Sequence, residues 1–99
     1  MIDYIKKLVA LLPDDIQSEL KRFRYRQQIK RGSFITDEPE YDLLHTFIKN
    51  GNWVVDIGAN IGQYSKRFSE LVGLEGRVIA FELVPVTFAL LAANLKQAL

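Results

Sequence analysis

The sequence predicts a mixed α/β fold in which N-terminal helices precede a β-α-β-α unit. Up to residue 50 the apolar residues recur at helical spacing, whereas two short β-branched and aromatic runs, 53–55 and 78–81, lie on either side of a later helical stripe. A glycine-bearing turn follows the first run, and Glu82 ends the second. Such a unit packs as parallel strands with a right-handed crossover. We therefore expect a helical segment over 1–50 and an α/β unit over 51–99.

The first two predicted helices lie on either side of Pro13. A short helix ends before this proline and carries one apolar stripe, formed by Ile5, Leu8, Val9 and Leu12. Asp14 or Asp15 can cap the second helix. That helix ends at Gly32 and has apolar residues at helical spacing, namely Ile16, Leu20 and Phe23. Its C-terminal half is strongly basic, with Lys21, Arg22, Arg24, Arg26, Lys30 and Arg31.

The third predicted helix begins near Pro39, a residue suited to a first helical turn, and ends at 50–52. One face of it carries Tyr41, Leu44, His45 and Ile48. We interpret His45 as a packed or edge residue and not as a ligand.

The second half of the chain alternates strand and helix patterns. The run 53–55 predicts a buried strand with Trp53 in the core, and 56–62 predicts a turn. The helix that follows has an apolar stripe of Tyr64, Phe68, Leu71 and Val72, after which Gly73 can supply a left-handed residue. A second strand ends at Glu82. Pro85 begins a helix that extends to Leu95 and is apolar on nearly every side, which predicts its burial.

Composition excludes several classes of site. The 99 residues include no Cys, so no disulfide scaffold, thiolate zinc site or cysteine nucleophile can form. A single His excludes the common His-rich metal sites and leaves little material for a Ser-His-Asp triad. The net charge of +1 gives no overall attraction to nucleic acid or membrane. No targeting or membrane-spanning segment is visible, so we expect a cytoplasmic protein with no metal.

The turn at 56–62 carries the chemistry that the sequence predicts. A strand that leads through glycines into a helix brings backbone N–H groups and a positive helix end to one spot. An acid at the end of the adjacent strand, here Glu82, can accept hydrogen bonds from a ribose diol. The dinucleotide fingerprint fails, because Asn60 and Gln63 stand where it requires glycine. A P-loop is also excluded. The pattern favours a cofactor with one ribose and a charged amino-acid tail.

These residues resemble a known family. Residues 53–95 are similar to the first β-α-β-α of a class I S-adenosylmethionine-dependent methyltransferase, a Rossmann-like fold, and specifically of the FkbM type. The resemblance rests on VVDIGANIGQYS (54–65), SELVGLEGRVIAFE (69–82) and AANL (92–95). The segment GSFITDEPEY (32–41) resembles the one that precedes the first strand in bacterial members. Leu83 stands where the family usually has proline, which affects the turn beside the adenine.

The resemblance implies S-adenosyl-L-methionine as the cofactor and methyl transfer to a hydroxyl of a sugar or small metabolite as the reaction. Asp56 and Gly58 would shape the turn and hold the methionine end, Glu82 would bind the ribose hydroxyls, and Leu83 would lie near the adenine. The positions implied to bind the cofactor are Glu38, Asp56, Gly58, Ala59, Asn60, Gly62, Glu82 and Leu83. The methyl group is already activated, so the protein has chiefly to align donor and acceptor.

The strand count leads to a further expectation. A class I methyltransferase sheet has seven strands, whereas the sequence contains two, and a two-stranded parallel sheet leaves unpaired edges. We expect a truncated, N-terminal part of the methyltransferase domain that contacts the cofactor and does not methylate alone. The family's acceptor positions and any general base would lie beyond Leu99, in a missing C-terminal half, so no catalytic residue is assigned here. A homodimer is the other arrangement considered.

Four other interpretations remain open. In the simplest structural interpretation of 53–82, the glycines serve tight turns alone. A non-catalytic binding or oligomerisation module is the first functional alternative, in which the helical N-terminus pairs two chains and the nucleotide turn is vestigial. A fragment of a nicotinamide-dependent enzyme is disfavoured by Asn60 and Gln63. The basic run 21–31, interleaved with Phe23 and Tyr25, is interpreted as a solvated helix face in preference to a nucleic-acid patch.

Overall fold

The computed structural model describes residues 2–98. Within them the elements follow the order α1 (Ile2–Val9), α2 (Asp14–Arg31), α3 (Pro39–Phe47), β1 (Trp53–Ile57), α4 (Gln63–Val72), β2 (Arg77–Phe81) and α5 (Pro85–Ala98). The predicted mixed α/β class, with helices before a β-α-β-α unit, is confirmed for this part of the chain. The first strand extends two residues beyond the predicted run 53–55, so the glycine turn begins only after Ile57.

The two strands form a parallel sheet, as the sequence predicts. Trp53 lies opposite Arg77 and Ile57 lies opposite Phe81. Helix α4 joins the strands and packs against both of them. Alternate strand residues point to opposite faces, and the half-buried face carries Val54, Asp56, Val78 and Ala80.

The other face of the sheet is apolar and exposed, so the prediction that Trp53 lies in the core is wrong. Trp53 is 71% exposed and Ile57 is 83% exposed. The large apolar side chains on this face, which we call the open sheet face, are Trp53, Val55, Ile57, Ile79 and Phe81. A β-branched run predicts a strand, but whether both faces are covered depends on neighbouring elements. None of the helices within residues 2–98 covers this one.

Helix α2 packs against α5 through a face that its apolar stripe did not predict. Ile16, Leu20 and Phe23 are 44%, 45% and 58% exposed, whereas Ser18 and Arg22 lie against α5. The helix begins after Pro13, with no side-chain cap, so the predicted capping by Asp14 or Asp15 is wrong. Both acids lie in the first turn, where they interact favourably with the helix dipole. Gly32, at φ 72°, ends α2 as expected.

Helices α4 and α5 each differ from their prediction in one respect. Gly73 ends α4 with the expected positive φ of 68°, although its ψ of −166° is not that of a left-handed helix. In α5 the buried residues are Leu90, Leu91 and Asn94, while Phe88 remains 51% exposed. The helix is thus buried on one side and not on nearly every side. No helix in residues 2–98 has the length and hydropathy needed to cross a bilayer.

Candidate cofactor-binding site

The turn between β1 and α4 has a backbone that its sequence explains. Gly58, Asn60 and Gly62 have positive φ angles of 73°, 54° and 102°. Glycine adopts such angles freely, and Asn tolerates them better than most residues. Ala59, between them, is only 5% exposed. The pattern G-x-N-x-G is therefore what this tight turn requires.

Four N–H groups of this turn donate within the protein. Those of Gly58 and Ala59 both donate to the Phe81 carbonyl oxygen at 2.9 Å, and that of Gly62 donates to Ala59 at 3.1 Å. The Asn60 N–H donates to Oε1 of Glu82 at 2.9 Å. The expectation that the turn presents backbone N–H groups to a ligand is therefore wrong for Gly58, Ala59, Asn60 and Gly62. Three of the bonds, those from Gly58, Ala59 and Asn60, join the turn to the end of β2 and to Glu82.

The Glu82 carboxylate is oriented by two main-chain donors. Its Oε1 accepts from the Asn60 N–H at 2.9 Å, and its Oε2 accepts from the Val84 N–H at 3.0 Å. Each carboxylate oxygen has two acceptor positions, so both oxygens retain one for a further donor. A carboxylate held in this way at the end of a parallel strand suits a pair of vicinal hydroxyls.

Asp56 connects β1 to α4. Its Oδ2 accepts a hydrogen bond of 2.5 Å from the Ser65 hydroxyl, and Ser65 is only 1% exposed. Bonds between a hydroxyl and an ionised carboxylate are short and stronger than neutral ones. This contact fixes the first turns of α4 against the strand and so determines where the glycine turn lies.

The segment before α3 is bound to the first turn of α4, which brings Glu38 to the site. Phe34 is 2% exposed, and its ring packs edge-on against Tyr25 with 5.9 Å between centroids. The Gln63 side-chain amide donates to the Ile35 carbonyl oxygen at 3.1 Å. The Tyr64 hydroxyl donates to Oε2 of Glu38 at 2.7 Å.

The bond to Glu38 raises the pKa of Tyr64 to about 12, with smaller contributions from burial and from the nearby negative charges. The protonated phenol is the form that donates. Its contribution to stability is therefore complete below a pH of about 10, the ordinary tyrosine pKa, and is lost as the pH rises through the folded-state pKa of about 12.

Replacing Glu38 with Gln is expected to lower the pKa of Tyr64 toward its ordinary value, because the carboxylate that favours the protonated phenol is removed. Alkaline titration followed by tyrosinate absorbance measures this change, and the Tyr64→Phe variant assigns the signal. Glu40→Gln is the control, since Glu40 raises the same pKa only through its charge. Equal titration curves for Glu38→Gln and the unchanged chain would contradict the contact.

Two cavities open at the carboxyl ends of β1 and β2 and share Gly58. The first, of about 190 Å³, is lined by Glu38, Asp56 and the turn residues 58–64. The second, of about 490 Å³, is lined by Ile57, Gly58, Phe81, Glu82 and Leu83. A Cβ at Gly58 would meet no atom within 4 Å, so the backbone is open to an approaching ligand at the junction.

These cavities bring the predicted site residues together in two groups. Glu38, Asp56, Gly58, Ala59, Asn60 and Gly62 line the first cavity. Glu82 and Leu83 line the second, where Leu83 is 94% exposed. Gly58 belongs to both groups.

The two cavities differ in the chemistry they offer. The first contains the carboxylates of Glu38 and Asp56, and no Lys or Arg is among its lining residues, so its electrostatic potential favours a cationic group. The second is largely apolar, with Phe81 and Leu83 beside the Glu82 carboxylate. It suits a flat apolar group that is attached to hydroxyls. Within residues 2–98, no cluster of three or more acids or histidines is arranged to hold a metal ion.

Helix α5 packs against the turn between β1 and α4. Asn94 is 3% exposed, and its side-chain amide donates to the Ile61 carbonyl oxygen at 2.9 Å. A Cβ at Gly62 would lie 2.9 Å from Cδ1 of Leu91. The sequence placed Tyr64 in the apolar stripe of α4 but predicted no role in the site for Asn94, Tyr64 or Ser65. The sequence did carry a signal for Ser65 and Asn94. Each is a polar residue that helical spacing places on the apolar, buried face of its helix, where polar groups need a hydrogen-bond partner.

Comparison with known proteins finds one partial similarity. Over 59 residues the chain is 39% identical to the ribosomal RNA large subunit methyltransferase E of Bdellovibrio bacteriovorus, a match that covers 60% of this chain and 30% of that protein. The chain thus matches about 30% of its relative's length. No protein-family model matches the chain, and no solved structure matches it. The similarity supports a relationship to methyltransferases in general and does not single out the FkbM type.

Proposed function

We propose that this chain carries the cofactor half-site of an S-adenosylmethionine-dependent methyltransferase. The observation that carries the proposal is the junction at Gly58, where an acidic cavity meets an apolar one beside the Glu82 carboxylate. S-adenosylmethionine has the matching sequence of groups, a tail with an ammonium, a carboxylate and a sulfonium, then a ribose diol, then an adenine. The methyltransferase similarity supports the same assignment.

The residues present fit this cofactor one group at a time. Glu38 and Asp56 would face the ammonium and sulfonium of the amino-acid tail, and the backbone at Gly58 leaves room for the ligand to pass. Glu82 would accept hydrogen bonds from the ribose hydroxyls, while Phe81 and Leu83 would contact the adenine. The bound cofactor supplies an activated methyl group, and the residues described here bind and orient it.

We further propose a partial Rossmann-like architecture that needs additional strands and helices to transfer a methyl group. The support is the open sheet face, where Trp53 and Ile57 are 71% and 83% exposed and Phe81 is 53% exposed. Burying apolar surface contributes about 25 cal/mol per Å², so a contiguous apolar face of this kind favours a covering layer. That layer would come from a partner chain or from a longer protein.

For the acceptor we propose a hydroxyl of a sugar or small metabolite, as in FkbM-type enzymes. The support is the stretch 54–65, VVDIGANIGQYS, whose backbone and hydrogen bonds make the turn described above. RNA is the second acceptor class. It is favoured by the name of the relative, which acts on ribosomal RNA.

Thermal unfolding of the 99-residue chain with S-adenosylhomocysteine tests the cofactor assignment, and NADH is the matched control. A ligand at 100 times its Kd stabilises the fold by about 2.7 kcal/mol, and each kcal/mol raises Tm by roughly 4–8 °C in a domain of this size. We expect a shift of roughly 10–20 °C with S-adenosylhomocysteine and none with NADH. The reverse order would support the nicotinamide interpretation, and a folded chain that ignores both would support a vestigial turn.

Methyl transfer is tested separately with radiolabelled S-adenosylmethionine and mixed acceptors. We expect no transfer by the chain alone, because the open sheet face lacks its covering layer. Transfer above the no-protein background would contradict the need for further structure, although the cofactor assignment would stand.

A further inference from the structure

A basic groove lies between α2 and α5, outside the cofactor site. It has a volume of about 430 Å³ and is lined by Arg22, Arg26, Ala93, Asn94, Lys96 and Gln97. The tertiary structure thus adds a lysine from α5 to two arginines of the basic run on α2. This convergence is not visible in the sequence, because the two helices lie more than 50 residues apart along the chain.

The positive charge of this groove is only partly balanced. Arg22 lies 3.7 Å from Glu19, which is an exposed contact that contributes little. In the part of the chain that the structure describes, Arg26 and Lys96 form no ion pair within 4.0 Å, and α5 contains no acidic residue. The Nε of Arg22 is buried and bonds to no group in residues 2–98. The exposed side chains of Arg26 and Lys96 are therefore available to an anion.

Stabilisation of helix ends does not explain Arg22 and Arg26. Basic residues near a helix C-terminus interact favourably with its dipole, an effect confined to the last turn. That effect accounts for Lys30 and Arg31, which lie in the last turn of α2. Arg22 and Arg26 lie further inside the helix, one turn apart, or about 6 Å along its axis. Both face the same groove.

We propose that the α2–α5 groove binds the sugar-phosphate backbone of RNA. Guanidinium and ammonium groups are the usual protein partners of phosphate. Lys21 and Arg24 lie on a different side of α2, where they line a groove with α1. A positively charged groove that follows the backbone is a usual element of single-strand binding. A recessed groove admits a flexible strand better than it fits a flat lipid surface.

Asn94 connects the groove to the cofactor turn. Asn94 lines the groove, and its side-chain amide donates to the carbonyl oxygen of Ile61, which lines the acidic cavity. Only the Asn94 side chain would therefore separate RNA bound in the groove from the turn. The role of the groove in a methyltransferase rests on the proposed function, whereas its binding of RNA rests on α2 and α5 alone.

Fluorescence anisotropy with a labelled single-stranded RNA 20-mer tests this inference on the 99-residue chain. The variant Arg26→Gln/Lys96→Gln removes two cations from the groove, and Lys6→Gln/Lys7→Gln on α1 is the control with the same net charge. Each phosphate contact to a single strand changes the slope of log K against log salt by about 0.7. We expect the groove variant to bind about 25-fold more weakly at 0.1 M salt, with a slope shallower by about 1.4, and the control to change little.

Three further measurements test the groove: RNA binding by a charge-retaining variant, binding to anionic vesicles, and titration with S-adenosylhomocysteine. The Arg26→Lys/Lys96→Arg variant retains both charges and is expected to retain binding, which separates lost contacts from lost folding. Equal losses in the groove variant and the α1 control would overturn the groove as the site. Binding to vesicles with anionic lipid, without binding to RNA, would overturn the choice of ligand. Titration with S-adenosylhomocysteine of the same variants is expected to be unchanged, so failure of the groove and failure of the cofactor site are distinguishable.

Discussion

Calorimetric titration of the Glu82→Ala variant with S-adenosylhomocysteine is expected to show an affinity at least about 100-fold below that of the unchanged chain. The variant removes the carboxylate proposed to accept from both ribose hydroxyls. Hydrogen bonds to a charged group contribute about 1.5–3 kcal/mol each, and every 1.4 kcal/mol is about tenfold in Kd. Two such bonds account for the expected loss.

The control for this variant is Glu75→Ala, which removes the same charge from the exposed turn before β2. Glu82 also accepts from the Asn60 and Val84 N–H groups, so the fold of the variant must be checked by circular dichroism. Asp56→Asn is the second probe. It retains an acceptor for Ser65 and removes only the negative charge that would face the ammonium of the ligand's amino-acid tail. A folded Glu82→Ala variant with unchanged affinity would contradict the site.

The Gly76→Ala variant is expected to lose a large part of its stability. A Cβ at this position would lie 2.3 Å from Cβ of Val72, 2.6 Å from the Asn52 carbonyl oxygen and 2.7 Å from that of Val72. Two of these atoms belong to the backbone and cannot rotate away, so α4 or the start of β1 must shift. Overpacking that displaces backbone can cost about 4 kcal/mol or more, against a total stability of about 5–15 kcal/mol for a small domain.

Urea unfolding followed by circular dichroism measures this effect, with Gly32→Ala as the matched control. A Cβ at Gly32 would meet nothing within 4 Å, but the residue has a φ of 72°. A left-handed residue with a side chain costs roughly 1–2 kcal/mol, so the control is expected to stay folded. If Gly76→Ala unfolds at the same urea concentration as Gly32→Ala, the close packing at Gly76 is contradicted.

The order of helices and strands could be predicted because it depends on local patterns. Apolar residues at helical spacing and Gly32 locate α2, while β-branched runs before Asp56 and Glu82 locate the strands. The positive φ angles of Gly58, Asn60 and Gly62 also follow from residue type, since only glycine and asparagine tolerate them easily.

Hydrogen-bond partners in the site could not be predicted in the same way. The N–H groups of Gly58, Ala59 and Asn60 donate to Phe81 and Glu82, more than 20 residues away. Glu38 reaches the site because Tyr64 donates to it across 26 positions. Such pairs depend on where the elements pack, and the turn residues alone suggested free N–H groups that the tertiary structure uses internally.

The sequence by itself determined the elements, the conformation of the turn and the acids that a nucleoside cofactor would need. The spacing of apolar residues predicts which residues share a face, because the geometry of a helix or a strand sets that spacing. Whether that face is covered depends on the neighbouring elements. Only the tertiary structure therefore decided that Trp53 is exposed, and that Arg22, Arg26 and Lys96 converge on one groove.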